Sequence, residues 1–258
     1  MCSNTMIRTR RILGVRVDDA DVSQTLAAVA CALREGLPHQ LITLNPEMLM
    51  HARRDSPLRL CIEQAYLVVP DGVGLILAGW VLGQPLKQRV CGSDLVPLLC
   101  QMAAKQGWSV FLLGAGPGVA ERAGRRLAKS FPALHLAGVY SGSPDPAEEE
   151  AIAALVRRAS PDLLFVAYGV PAEEKWIARN LGRLQVPLAI GVGGALDFLA
   201  GVVPRAPKLM RNLGLEWLYR LCRQPWRWRR MLALPQFAAL VFAEAASARL
   251  RCPRSSRP

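Results

Sequence analysis

Apolar residues along the chain fall into short runs separated by longer stretches in which apolar and polar positions recur at helical spacing. The runs are ILGVRV (12–17), LITLN (41–45), YLVV (66–69), WSVFLLG (108–114), ALHLAGV (133–139), DLLFVAYG (162–169) and PLAIGVG (187–193). Between them, helical patterns begin near Asp21, Pro46, Gly72, Ser93, Pro117, Asp145, Pro171 and Ala195. Strands alternating with helices predict a Rossmann-like α/β fold, with a largely parallel sheet covered by helices on both faces. Ligands of such a sheet gather at the carboxyl ends of its strands. The unusual residues fall there: Thr43 and Asn45 after one run, Asp71 after the next, Gly169 and Pro171 further on, then Gly193, Gly194 and Asp197.

From Arg205 the strand signal stops and the pattern is helical, with Trp and Arg throughout. The expected organisation is an α/β catalytic domain over 1–204 and a helical, basic, membrane-associating appendage over 205–258, its last residues disordered. Two apolar stretches need assignment. Residues 64–86 are uncharged except for Asp71, but Pro70 and Gly72 interrupt them, and a buried helix is expected. Residues 231–243 are uncharged, too short to span a bilayer and preceded by arginines, which predicts an interfacial helix.

Charge sharpens this division. Of a net +12, nearly all lies beyond residue 204, where 12 Lys and Arg face only Glu216 and Glu244. Such a segment is suited to an anionic partner, whether phospholipid, nucleotide or nucleic acid. Trp217, Trp226 and Trp228 lie among these arginines, which favours an interface over a solvated face. The seven cysteines form no C-x-x-C pair and suggest reduced thiols in a cytosol. The three histidines are scattered, and no zinc site is legible. The N-terminus does not resemble a secretory signal, so an intracellular protein is expected.

Asp71 stands out as the one charge between Glu63 and Lys87. A carboxylate in apolar sequence is partly desolvated, and its pKa rises toward that of a general base; the alternative is an N-cap for the helix beginning at Gly72. Gly114-Ala115-Gly116-Pro117-Gly118 opens a helix after a strand, as a phosphate-cradling turn would. It lacks the third glycine and the following acid of a dinucleotide fingerprint, so a tight structural turn is an equal reading. Asp19-Ala20-Asp21 has the form of a metal-holding pair but precedes a helix, where capping is favoured. Arg220, Arg223, Arg227 and Arg230 are spaced to share one helical face suited to a diphosphate, unless Pro225 bends it.

Several longer segments occur together and in order: TLNPEMLMHARRDSPLR, VVPDGVG, RVCGSDLVP, FLLGAGPGVAERA, GVPAEEKWIARN, GVGGALDFLAGVVPRAPKLM and GLEWLYRL. In these the chain resembles the bacterial glycosyltransferases of the WecG/TagA/CpsF family, from about residue 10 to 232. The resemblance implies an inverting hexosyltransferase of cell-surface polysaccharide biosynthesis that needs no divalent metal or other cofactor. It implies a UDP-sugar donor of N-acetylmannosamine type or a related hexose. The implied acceptor is a sugar on polyprenyl diphosphate, at the inner face of the cell membrane. It also implies that Asp71 is the catalytic base, that Thr43 and Asn45 line its pocket, and that Arg89 contacts the substrates. Tyr140 and Asp197 would hold the uridine nucleotide, and Arg220, Arg227 and Arg230 would close over the donor diphosphate. One position departs from the family pattern: Glu173 stands where an active-site glutamine is usual, a change that bears on sugar choice. A homo-oligomer is left open, and nucleic acid is not an expected partner. The rival classes are a nucleotide-dependent oxidoreductase using Gly114 to Gly118 and a nucleic-acid-binding protein using the basic tail.

Overall fold

The computed structural model describes residues 7–251, the side chains at 212, 227 and 249–251 excepted. The disorder expected of the last residues lies outside that range. The chain opens with β1 (Arg8–Ile12), β2 (Val15–Asp19) and α1 (Val22–Glu35), followed by β3 (His39–Leu44), α2 (Pro46–Ala52) and α3 (Ser56–Gln64). Next come β4 (Leu67–Pro70), α4 (Val73–Val81), α5 (Gly92–Gln106), β5 (Ser109–Gly114), α6 (Val119–Ser130) and β6 (His135–Tyr140). The α/β part closes with α7 (Glu149–Ala159), β7 (Leu163–Ala167), α8 (Ala172–Leu184), β8 (Leu188–Gly191) and α9 (Ala195–Ala200). Four further helices follow: α10 (Lys208–Asn212), α11 (Glu216–Arg223), α12 (Trp228–Met231) and α13 (Ala233–Arg251).

Strands β3 to β8 form one sheet in the order β4-β3-β8-β7-β5-β6, every pair parallel. The strands are apolar on both faces because helices cover both. Leu41, Leu112, Phe165 and Ile190 pack with α1, α5, α6 and α9, whereas Phe111, Leu164, Val166 and Ala189 pack with α7 and α8. Adjacent residues of one strand thus enter different cores, the period-two rule applied to a doubly covered sheet.

The run ILGVRV is not a strand of this sheet, contrary to the expectation from its composition. Leu13 and Gly14 adopt φ of 49° and 78°, and the chain reverses there into the antiparallel β1–β2 ribbon, Ile12 facing Val15. Asp18 ties the ribbon to β4 by accepting the Val68 N–H at 2.9 Å. Asp19 and Asp21 turn to separate tasks: Asp19 accepts the Lys87 N–H at 2.6 Å, and Asp21 forms a capping box with Gln24 at the start of α1.

Helix α4 also departs from expectation. Its inner residues Leu75 and Ala78 are buried, but Leu77, Trp80 and Val81 are exposed. Helix α13 docks against α2 and α4: Phe237 and Val241 are buried in one cluster with Leu44, Met48 and Leu75. Trp228–Ala248 is long and apolar enough to cross a membrane by length and composition, with 11% of it buried. Pro235 falls in the first turn of α13, where its missing N–H leaves no intrahelical bond unmade. Cys61, Cys91, Cys100 and Cys222 are free thiols.

Candidate active site

The carboxyl ends of β3, β4, β7 and β8 open into a cleft of about 760 Å³, roofed by the loop at 213–215 and by α11 to α13. It is lined by Thr43, Asn45, Asp71, Arg89, Glu173, Asp197, Arg220 and Arg230, so eight of the ten residues singled out in the sequence meet there. Tyr140 does not line it; it ends the edge strand β6 and is 41% exposed. The Arg227 side chain lies outside the described ones.

Asp71 follows β4 directly. Its N–H donates to the Leu44 carbonyl at 2.6 Å, extending the β3–β4 pairing, and Gly72 at φ 103° then turns the chain into α4. Gly72 is the N-cap of that helix and no side chain caps it, so the Asp71 carboxylate is not spent on capping. Instead Oδ2 accepts the Gly92 N–H at 3.3 Å. Asp71 keeps some surface toward the cleft, but protein encloses it, and loss of water pushes its pKa up to about 6. The Gly92 N–H, the positive charges of Arg89 and Arg220 and a bond from the Cys91 thiol oppose that rise without cancelling it.

The neighbours are fixed by backbone. Asn45 is the N-cap of α2, its Oδ1 accepting the Met48 N–H at 2.9 Å. A Cβ at Gly92 would stand 3.1 Å from the Thr43 hydroxyl, so a glycine there leaves that oxygen its room. Arg89 donates to the Arg211 carbonyl at 3.2 Å, tying the cleft to α10.

At the far wall, α8 begins with two buried carboxyls. Glu173 Oε2 accepts the N–H of Gly169 at 2.8 Å and of Gly193 at 3.0 Å. Glu174 Oε2 accepts from Gln40 at 2.7 Å, while its Oε1 is buried without a partner. Burial raises the pKa of both, and the proximity of Glu173 raises Glu174 further.

The glycine turn after β8 passes between Asp197 and Arg220: a Cβ at Gly194 would lie 3.4 Å from one and 3.8 Å from the other. The Arg220 guanidinium stacks over Phe198 at 4.3 Å. Arg230 reaches the cleft from α12 and pairs with Glu47 at 2.6 Å. The four arginines therefore do not share one helical face. Helix α11 ends at Arg223, a 3₁₀ turn begins at Pro225, and Arg223 turns to Tyr219 instead of the cleft. Arg220 and Arg230 converge on the same space from two elements.

Some residues in or behind the cleft wall had no sequence signal. Glu47 and the enclosed Glu174 acquire their setting from partners 183 and 134 residues away, Arg230 and Gln40. Tyr168 lines the cleft beside Gly169, and Trp217 and Met231 continue it. The turn from Gly114 to Gly118 lies outside the cleft lining. A Cβ at Gly114 would meet the Ala167 backbone at 2.8 Å, so that glycine is needed for the close approach of β5 and β7. Among the described residues no group of three or more His, Cys, Asp or Glu is placed to hold a metal ion.

Residues 10–251 match the model of the glycosyl transferase WecG/TagA/CpsF family. Curated relatives include an N-acetylglucosaminyldiphosphoundecaprenol N-acetyl-beta-D-mannosaminyltransferase of Bacillus subtilis, 32% identical over 83% of each chain. Proteins of the same name from Bacillus spizizenii, 33% identical over 81% of each chain, and from Staphylococcus aureus, 32% identical over 88% of this chain and 89% of the relative, match similarly.

Proposed function

The chain belongs to the WecG/TagA/CpsF family and is a glycosyltransferase; from that premise we propose that it moves an N-acetylmannosamine-type hexose from a UDP-sugar to a sugar carried on polyprenyl diphosphate. The reaction is a single inverting displacement in the building of bacterial cell-surface polysaccharide. The observation that carries this reading is the position of Asp71: a carboxylate with a raised pKa, free of any capping duty, on the floor of a cleft that also holds Arg89, Arg220 and Arg230.

Asp71 accepts the proton of an acceptor hydroxyl as that oxygen attacks the anomeric carbon. The bond from that carbon to the diphosphate oxygen breaks, and the electron pair leaves with UDP. Arg220 and Arg230, with Arg227, neutralise the charge that develops there. Arg89 bridges the two substrates, while Thr43 and Asn45 orient the acceptor beside the base. Asp197 takes the uridine end. Glu173, with one oxygen committed to two backbone N–H groups, presents the other to the sugar and tunes which sugar fits.

Arginines supply the countercharge, and a divalent metal is not required. Residues 205–258 act as a basic appendage that seats the protein on the inner face of the membrane without crossing it. Phe237 and Val241 on α13 are committed to the protein core, which supports an interfacial position for that helix. The test is incubation with a panel of UDP-sugars and a lipid-diphosphate acceptor, with mass spectrometry of the product. Asp71→Asn is expected to fold, to pellet with membranes and to lose transfer by about 10² or more; full turnover by that variant would refute the assignment.

A further inference from the structure

The cleft has a second half that the displacement does not use. Beyond Asp71 its wall is made by α4 and α13, through Leu77, Val81, Leu234, Ala238 and Phe242. Helix α4 carries no charge from Val73 to Val81, and the first eleven residues of α13 contain Gln236 as their one uncharged polar side chain. The two helices are fixed relative to each other from within. Phe237 and Val241 are buried beside Leu75 and Ala78, and Gly74 lets α4 approach: a Cβ there would meet Pro46 at 2.9 Å and Phe237 at 3.9 Å. Their outer residues are open, with Leu77 59% and Phe242 64% exposed. Large apolar side chains left open along a rigid groove mark a surface that is covered in use.

We infer that the groove between α4 and α13 is the track for the first isoprene units of the acceptor's polyprenyl chain, which lead its diphosphate toward the arginines and its sugar toward Asp71. The inference rests on the lipid-diphosphate reading of the acceptor and adds where the lipid lies. The occupant is set by charge. The groove is uncharged along its length and runs without interruption into the part of the cleft that holds Arg89, Arg220 and Arg230. It therefore suits a molecule apolar at one end and multiply anionic at the other. A second copy of this chain would bring its own strongly basic tail against those arginines.

The experiment titrates the full-length protein with inorganic diphosphate and with prenyl diphosphates of one, two and three isoprene units, reading binding by calorimetry. Affinity relative to inorganic diphosphate is expected to climb about tenfold or more from one unit to three, because each added unit buries further carbons. Ala238→Trp fills the groove and Leu77→Gln makes it polar; both positions are exposed, so both variants keep their core. Each should reduce that climb to about threefold or less, measured against inorganic diphosphate in the same variant. A flat response in the unmodified protein, or an equal climb in both variants, overturns the groove. An equal climb in variants that no longer pellet with acceptor-free vesicles would make the face a plain bilayer contact. Transfer assays separate the two claims. A chain-length response without transfer to any lipid diphosphate leaves the groove and removes the acceptor reading. Transfer that ignores chain length does the reverse.

Discussion

Two carboxylates in the cleft lose water to the same protein, yet their surroundings prepare them for different work. Glu173 spends Oε2 on the backbone N–H groups of Gly169 and Gly193, whereas Asp71 meets one long backbone bond from Gly92, a bond from the Cys91 thiol and the fields of Arg89 and Arg220. Asp71 is therefore the less constrained of the two as a proton acceptor. The proposed base is its ionised form, which predicts that turnover rises with pH through about 6 and levels above it. Arg89 and Arg220 favour that ionised form. Arg89→Gln removes one of the cations that hold the pKa down, and the acid limb should move to higher pH. The position of the limb is what is measured, apart from any loss in the height of the profile from a missing substrate contact. A limb that stays where it was would show that Arg89 does not act on Asp71.

Helix α8 shows what an element contributes that its sequence conceals. A helix N-terminus favours negative charge in its first turn, and Glu173 and Glu174 sit in that of α8. Burial outweighs this effect at both. A folded carboxyl with a raised pKa still holds its proton at pH values where the unfolded chain has released it. Stability should therefore fall as pH rises from about 4.5 toward the raised value, by at most about 1.4 kcal/mol per pH unit for one group. Glu174→Gln keeps an acceptor for Gln40 and has no charge to bury, so its melting temperature should decline less between pH 5 and 8. Equal slopes in the two proteins would remove Glu174 from this account. Such coupling was not legible in the chain, because Glu174 meets Gln40 of β3 only after the sheet has formed. What was legible followed from local pattern. Six of the seven apolar runs are strands of the parallel sheet, and the places where they stop are where Thr43, Asn45, Asp71 and Asp197 enter the cleft. The seventh run failed because Leu13 takes a positive φ that non-glycine residues seldom adopt, hiding a turn inside an apolar stretch. Composition does not distinguish an apolar face turned to the core from one turned outward, and α4 carries both. The arginine stripe rested on a continuous helix, which Pro225 ends.

At the scale of the whole molecule the basic tail is part of the body as well as its edge. Arg205 pairs with Asp94 of α5 at 2.7 Å, Arg230 pairs with Glu47, and α13 closes the cluster that holds Leu44 and Met48. Removing residues 205–258 would thus expose that cluster, strip Arg220 and Arg230 from the cleft and discard the apolar helix; loss of turnover and of membrane pelleting together is expected. That result cannot separate the site from the membrane contact, but charge reversal at two exposed positions can. Arg223 and Arg229 do not line the cleft, and each lies near an aromatic ring, Tyr219 at 5.6 Å and Trp228 at 5.5 Å. An arginine near an anionic bilayer contributes about 1 kcal/mol. Reversing both charges changes the tail by four charge units and should lower binding to anionic vesicles by up to about three orders of magnitude, and added salt should weaken the unmodified protein toward the same level. Transfer to a short, soluble acceptor should persist, because Arg220 and Arg230 are untouched. If the double variant instead lost soluble transfer while pelleting normally, the outer arginines would belong to the site and the division of labour in the tail would be wrong.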